Sequence, residues 1–250
     1  MSKPVFVLLH AFPVNSSMYD DVRSALSDFC ELVTPDFAGF GTATLPDAEP
    51  SLDVYAADVV ALLDDRGVEQ AVVGGTSMGG YVAMAIARRN PGRISALVLA
   101  DTKATADTAD ARANRLGVAD QVIAAGSTDA LARAMLPNLL GATTHASRPD
   151  VVERVRGWIE SADPRAVAWA QRAMAARPDS LDDLATFAGP SLVLWGEEDA
   201  ISSRAEQAFM RSELVDGHYI TLPGAGHLSA VEDPAAFVAA LTPFLTRLGN

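Results

Sequence analysis

Gly75-Thr76-Ser77-Met78-Gly79-Gly80 is the stretch on which the fold turns. The apolar run 71–73 stands just before it, and a helical pattern over 81–89 follows it, closed by Asn90-Pro91-Gly92. A buried strand, a Gly-x-Ser-x-Gly turn and a helix in immediate succession force the chain to reverse sharply. Side chains flanking the serine would collide in such a turn, and Gly75 and Gly79 carry none. The turn leaves the Ser77 hydroxyl exposed above the sheet, near the positive end of the following helix, where developing negative charge is favoured. Ser77 is the candidate nucleophile.

Outward from the turn, apolar runs bounded by turn residues recur at Val5–Leu9, 96–100 and 192–195, with weaker ones at 218–222 and at Leu32-Val33-Thr34. Continuous apolar runs of this length suit parallel strands covered on both faces. Between them, Ser51 can cap a helix running through Leu62 and Leu63, with Gly67 as its stop. After Pro234, Phe237, Leu241 and Leu245 recur at i, i+4 and i+8 on a last helix. Strands alternating with helices predict an α/β fold, a mostly parallel, doubly wound sheet. Residues 105–187 break the rhythm. They hold no strong strand, and the segments 111–125, 130–135, 151–161 and 165–176 read as short amphipathic helices. They predict a helical cap inserted into a core made of 1–104 and 188–250.

The bulk numbers bound the function. The chain's 250 residues are 49% hydrophobic and 20% charged, enough to bury one large core. A formal net charge of −13 argues against a nucleic-acid partner and against anionic lipid surfaces, both of which need clustered Lys and Arg. Cys30 is the only cysteine, so no internal disulfide forms. The run Val5–Leu9 is too short for a signal sequence, and no stretch approaches the roughly 18 apolar residues of a membrane span. These features predict a soluble, cytoplasmic protein with no membrane partner.

A serine hydroxyl needs an adjacent base. The histidines are His10, His145, His218 and His227. His227 lies in Pro223-Gly224-Ala225-Gly226-His227, a Gly-rich loop after the last strand run, at the sheet edge where open α/β folds build sites. His145 sits in the expected cap and His218 opens a strand, so both read as surface or structural. Asp199 ends Trp195-Gly196-Glu197-Glu198-Asp199, just past the run 192–195. The chain order Ser77, Asp199, His227 places nucleophile, orienting acid and base at three strand ends. Asp101, after the run 96–100, is the rival acid, with a bland reading as a cap for the loop into the insertion. The oxyanion hole needs two backbone N–H groups. Met78 follows the nucleophile, and Phe12 lies in His10-Ala11-Phe12-Pro13, where Pro13 has no N–H to offer. No His/Cys/Asp cluster has metal-ligand spacing, so neither metal nor organic cofactor is expected.

Taken together, His10–Pro13, Asp36-Phe37-Ala38-Gly39-Phe40-Gly41, Gly75–Gly80, Gly196–Asp199 and Gly224–His227 resemble the α/β-hydrolase superfamily across nearly the whole chain. The likeness is to its bacterial carboxylesterases, enol-lactonases and cofactor-free perhydrolases. It implies an α/β-hydrolase fold with the cap inserted after the sixth strand, and Asp36 in a structural position. It also implies a serine esterase or lactonase acting on a small to medium ester or lactone through an acyl-enzyme. A perhydrolase or acyltransferase would use the same triad, and a non-catalytic ligand-binding receptor could sit on the same scaffold. Ala11 replaces the family's usual Gly. Ala100-Asp101-Thr102-Lys103 replaces the Asn-Thr-Ala-Ala run common in enol-lactonases. Serine at position 77 separates the chain from haloalkane dehalogenases and epoxide hydrolases, which use aspartate there. Met135, Leu136, Leu139, Trp158 and Trp169 are the candidate pocket walls in the cap.

Overall fold

The apolar runs become strands, lengthened where the hydrogen-bonded ladder carries past the apolar residues. The computed structural model describes residues 3–249, so positions 1, 2 and 250 of the expected core lie outside the described residues. The strands are β1 (Val5–Leu9), β2 (Glu31–Val33), β3 (Ala71–Thr76), β4 (Ile94–Ala100), β5 (Pro190–Gly196) and β6 (Asp216–Leu222). They form one sheet in the order β2-β1-β3-β4-β5-β6. Every adjacent pair is parallel, so among the described residues the sheet is wholly rather than mostly parallel. Val72, Val73, Leu97, Val98 and Leu99 are completely enclosed. Each such side chain contributes about 1.5–3 kcal/mol relative to an exposed one.

Helices α1 (Asp20–Leu26), α2 (Leu52–Asp65) and α3 (Met78–Arg89) precede β4. Between β4 and β5 lie α4 (Ala109–Ala125), α5 (Asp129–Leu139), α6 (Ala142–Ser147), α7 (Pro149–Glu160), α8 (Pro164–Ala175) and α9 (Leu181–Thr186). Helix α10 (Arg204–Glu213) joins β5 to β6, and α11 (Ser229–Glu232) and α12 (Pro234–Leu248) close the chain. Among the described residues the helical insertion follows the fourth strand, β4, and not a sixth as the resemblance implies. Helix α2 starts as read, with Ser51 Oγ accepting from the Asp53 N–H at 3.2 Å, and Gly67 adopts φ +66° just beyond its end. None of the described helices is long and apolar enough to cross a membrane.

The strand order explains where a site can form. Parallel crossovers are right-handed, so the direction of each step across the sheet fixes the face its helix covers. The step β1 to β2 runs one way; the steps from β3 through to β6 run the other. Accordingly α1 packs on α12, while α2 packs on α3, α3 on α9 and α9 on α10. The chain leaving β1 and the chain leaving β3 therefore diverge to opposite faces, and a crevice opens between their carboxyl ends. The insertion is pinned at its base and flank. Ser180 N–H donates to Ala104 O at 2.9 Å, and the buried Arg177 pairs with the buried Asp107 at 2.8 Å. Trp169 packs on Tyr55 of α2 at 4.8 Å between ring centroids, and its Nε1 donates to Ala48 O at 2.9 Å.

Candidate active site

Ser77 stands at the carboxyl end of β3 with φ +55° and ψ −114°, a backbone state that a non-glycine residue adopts only when its surroundings impose it. The surroundings do so. Its N–H donates to Ala100 O at 2.9 Å, and its carbonyl accepts from the Thr102 hydroxyl at 2.8 Å and from Gly80 N–H at 2.9 Å. The flanking glycines are needed for close approach. A Cβ on Gly75 would lie 2.3 Å from the Gly79 carbonyl carbon, and one on Gly79 would lie 2.1 Å from the Leu9 carbonyl oxygen. Both obstacles are backbone, so relief requires β1 or α3 to move. Gly79→Ala is expected to destabilise the protein by about 3 kcal/mol or more, the upper end of overpacking costs. A urea unfolding midpoint unchanged from the parent would refute that account of the turn.

The loop after β1 is held by His10. Its Nε2 accepts from Phe37 N–H at 3.0 Å, and burial pushes its pKa down to about 4, so the ring is a neutral structural element. Asp36 accepts from the N–H groups of Ser16 at 2.8 Å and Thr42 at 3.1 Å and so shapes the neighbouring loop. In that frame the amides of Phe12 and Met78 stay unengaged among the described residues. Met78 is the first residue of α3, so its N–H has no acceptor within the helix.

His227 and Asp199 are brought into direct contact. The imidazole Nδ1 donates to Asp199 Oδ2 at 2.9 Å and lies 3.0 Å from Oδ1. Both side chains are buried, 3% and 0% exposed. Asp199 is itself held by the Ser202 hydroxyl and by the N–H of Ile201 at 2.7 Å. Burial opposes ionisation of Asp199, yet the neighbouring imidazolium and these hydrogen bonds hold its carboxyl below the usual carboxylate range. Burial would likewise lower His227, but Asp199, Asp101 and Glu232 outweigh it and hold the imidazole above its ordinary value of 6.5. His227 Nε2 and the Ser77 hydroxyl make no hydrogen bond among the described residues.

Asp101 does not cap the loop into the insertion. Its Oδ1 accepts from Gly196 N–H at 2.7 Å and its Oδ2 from the Ser229 hydroxyl at 2.5 Å, tying the end of β5 to the segment just past His227. Burial first, and then the Asp199 charge, push its carboxyl well above the usual range. With Thr102 bonded to Ser77 and Asp101 bonded to Ser229, the ends of β3 and β4 and the His227 loop form one connected cluster.

The remaining candidates lie in the insertion. Leu136, Leu139 and Trp169 are buried in the core, and Met135 and Trp158 pack half-buried against it. The chain just after Leu139 reaches the His227 loop, for a Cβ on Gly226 would lie 2.8 Å from the Leu140 carbonyl carbon. His145 is exposed, and His218 lies on the edge strand within 2.9 Å of Arg247 Nη1. A cavity of 220 Å³ borders α3 at Tyr81, with Lys103 and Arg177, and Ser77 and His227 are not in its lining. Glu198, with Glu197 a weaker alternative to Asp199 in the sequence because it precedes the completed turn, is engaged with Thr143 of the insertion instead, and Glu232 had no sequence reading at all. Glu232 follows the stretch Leu228-Ser229-Ala230-Val231 and adjoins a second acid, Asp233, so no local pattern singles it out.

A model described as the alpha/beta hydrolase family matches residues 6–240. A thermophilic esterase from Thermogutta terrifontis superposes with a TM-score of 0.96 at 35% identity, covering 100% of this chain and 92% of that one. A 3-oxoadipate enol-lactonase from Acinetobacter baylyi is 26% identical over 98% of this chain and 90% of its own length. A pimeloyl-(acyl-carrier protein) methyl ester esterase from Aeromonas hydrophila is 27% identical over 97% of this chain and 95% of its own.

Proposed function

The chain belongs to the alpha/beta hydrolase family, and on that premise we propose that it hydrolyses a small carboxylic ester or lactone through a Ser77 acyl-enzyme. Its relatives include esterases and an enol-lactonase, which supports the substrate class. One observation carries the serine chemistry: His227 is oriented by Asp199 through Nδ1, leaving Nε2 free, at the sheet end where Ser77 projects. Nε2 takes the Ser77 proton as the hydroxyl attacks the carbonyl. The N–H groups of Met78 and Phe12 receive the oxyanion. His227 then protonates the leaving alcohol and later activates the water that frees the acyl group. The Ser77–His227 hydrogen bond, absent here, forms as substrate fills the crevice; such bonds commonly tighten only in the substrate complex. The insertion acts as a cap, with Met135, Leu136, Leu139 and Trp158 as candidate walls of the acyl pocket, whereas Trp169 is taken up by Tyr55 and Ala48.

The test is a pre-steady-state burst with p-nitrophenyl acetate, followed by a panel of esters and lactones varying in acyl length and charge. A burst matching the enzyme concentration is expected, and no turnover with any member would overturn the reading. The pH dependence has a definite sign. Only neutral imidazole accepts the serine proton, and His227 is held above 6.5, so kcat/KM should fall as pH drops through a midpoint above that value. A profile flat from about pH 5 to 9 would count against a histidine base.

A further inference from the structure

Four donors converge on one buried carboxylate behind His227. Glu232, at the end of α11, is 5% exposed. Its Oε1 accepts from the N–H of Gly226 at 2.9 Å and of Leu228 at 3.1 Å, the two amides that flank His227. Its Oε2 accepts from the N–H of Gly141 and from the Thr144 hydroxyl, both at 2.7 Å and both in the insertion. The two backbones touch there, since a Cβ on Gly226 would lie 2.3 Å from Gly141 N. Glu198, next to Asp199, grips the same part of the insertion, accepting from Thr143 N–H at 2.8 Å and Thr143 Oγ1 at 2.6 Å.

The division of labour among the acids is clear from their partners. Asp199 holds the imidazole ring and leaves the main chain free. Asp101 reaches the segment only through the Ser229 hydroxyl. Among the described residues, Glu232 alone binds the peptide N–H on both sides of His227. A carboxylate serving only to cap a turn would need one oxygen for this, yet here the second oxygen is committed to the insertion.

We propose that Glu232 is a positioning residue for His227: one oxygen fixes the main chain around the histidine, and the other fastens that main chain to residues 141–144 of the insertion. The seating of the insertion thereby sets the placing of the base. This rests on the reading of His227 as the base. The carboxyl groups facing His227 are Asp199 beyond β5, Asp101 beyond β4 and Glu232 on α11, and all three favour its protonated form. Arg148 of the insertion donates to the Glu232 main-chain carbonyl at 3.3 Å.

The experiment compares Glu232→Gln and Glu232→Asp with the parent, using the intact chain. Folding is checked by circular dichroism, His227 titration by NMR of the imidazole, and turnover with p-nitrophenyl acetate. Glu232→Gln removes one of the three carboxyl groups facing His227 and turns an NH2 group towards N–H donors. His227 should titrate at lower pH, the acid limb of kcat/KM should move down with it, and kcat should fall about tenfold to a hundredfold at nearly constant KM. That loss is the size expected when a reacting group is displaced by an ångström or less. Glu232→Asp keeps the charge but is too short to reach both sides. It should leave the titration near the parent value and lose part of kcat, and it decides the matter if the glutamine variant fails to fold. A folded variant with the parent's titration and kcat would overturn the proposal. The NMR arm does not depend on activity: an inactive parent whose His227 still responds to Glu232→Gln would fault the hydrolase reading and leave the link between Glu232 and His227 standing.

Discussion

Ser77→Ala should abolish ester hydrolysis while leaving the protein folded, with turnover falling on the order of 10⁶-fold, as when the nucleophile of subtilisin is removed. The stability side of this expectation follows from the contacts. The Ser77 hydroxyl makes no hydrogen bond among the described residues, whereas the backbone N–H and carbonyl that hold the turn are unchanged by the substitution. Alanine at φ +55° carries the same backbone strain that serine carries, so the turn has no new reason to relax. The unfolding midpoint should shift little, by the equivalent of about 0.5 kcal/mol or less, as for a substitution that disturbs no packed contact. Mass spectrometry after treatment with an organophosphonate should place the label on Ser77 in the parent and nowhere in the variant. A label elsewhere, or a variant that keeps its turnover, would remove Ser77 from the chemistry.

The turn was legible because its constraints are local. Strand, glycine, serine, glycine and helix succeed one another within the span from Ala71 to Arg89, and each glycine answers to a backbone atom that a Cβ would strike. The strands were legible for a similar reason: a parallel strand covered on both faces has to be apolar along its length. Helices with few apolar residues were not. Helix α10 has mainly charged and small residues, although Ser203 and Glu206 form a capping box that announces its start. Helices α6 and α9 have six residues each, too few for a periodic stripe to emerge.

The acids around His227 mark the other boundary of what sequence shows. Asp199 was readable from its place after a strand and a Gly-initiated turn. The roles of Asp101 and Glu232 depend on contacts at sequence separations of 128 and 91 residues, to Ser229 and Gly141, which no local pattern encodes. The same limit applies to the insertion. Its helices were read from their apolar spacing, but Trp169 shows that an aromatic in such a helix can be committed to Tyr55 and Ala48 of the core.

Asp199→Asn should cost about 10⁴ in turnover, by analogy with the serine-protease aspartate, and Asp101→Asn far less. The argument starts from which atom each carboxylate serves. Asp199 accepts from His227 Nδ1 at 2.9 Å, so its charge fixes the tautomer with Nε2 free to take the serine proton and stabilises the imidazolium that follows. An asparagine amide can present its NH2 group to Nδ1, which favours the tautomer with the proton on Nε2, and that ring cannot act as a base. The Ile201 N–H can still donate to the amide oxygen, and the Ser202 hydroxyl can rotate to accept from the NH2 group, so the fold should survive. Asp101 makes no hydrogen bond to His227. It accepts from Gly196 N–H and the Ser229 hydroxyl, and burial together with the Asp199 charge already disfavours its ionised form. A neutral asparagine there gives up little charge stabilisation, and its oxygen can keep the bond to Gly196. Its amide can donate to the Ser229 oxygen once that hydroxyl rotates. Removing even a partial negative charge near His227 should also let the imidazole titrate at slightly lower pH, so the acid limb of the Asp101→Asn enzyme should move down or stay in place, never up. Steady-state kinetics of the two variants from about pH 5 to 9 decides between the acids. A severe loss at Asp101 with near-normal turnover at Asp199 would transfer the orienting role to the end of β4, and Ser77 and His227 would keep theirs.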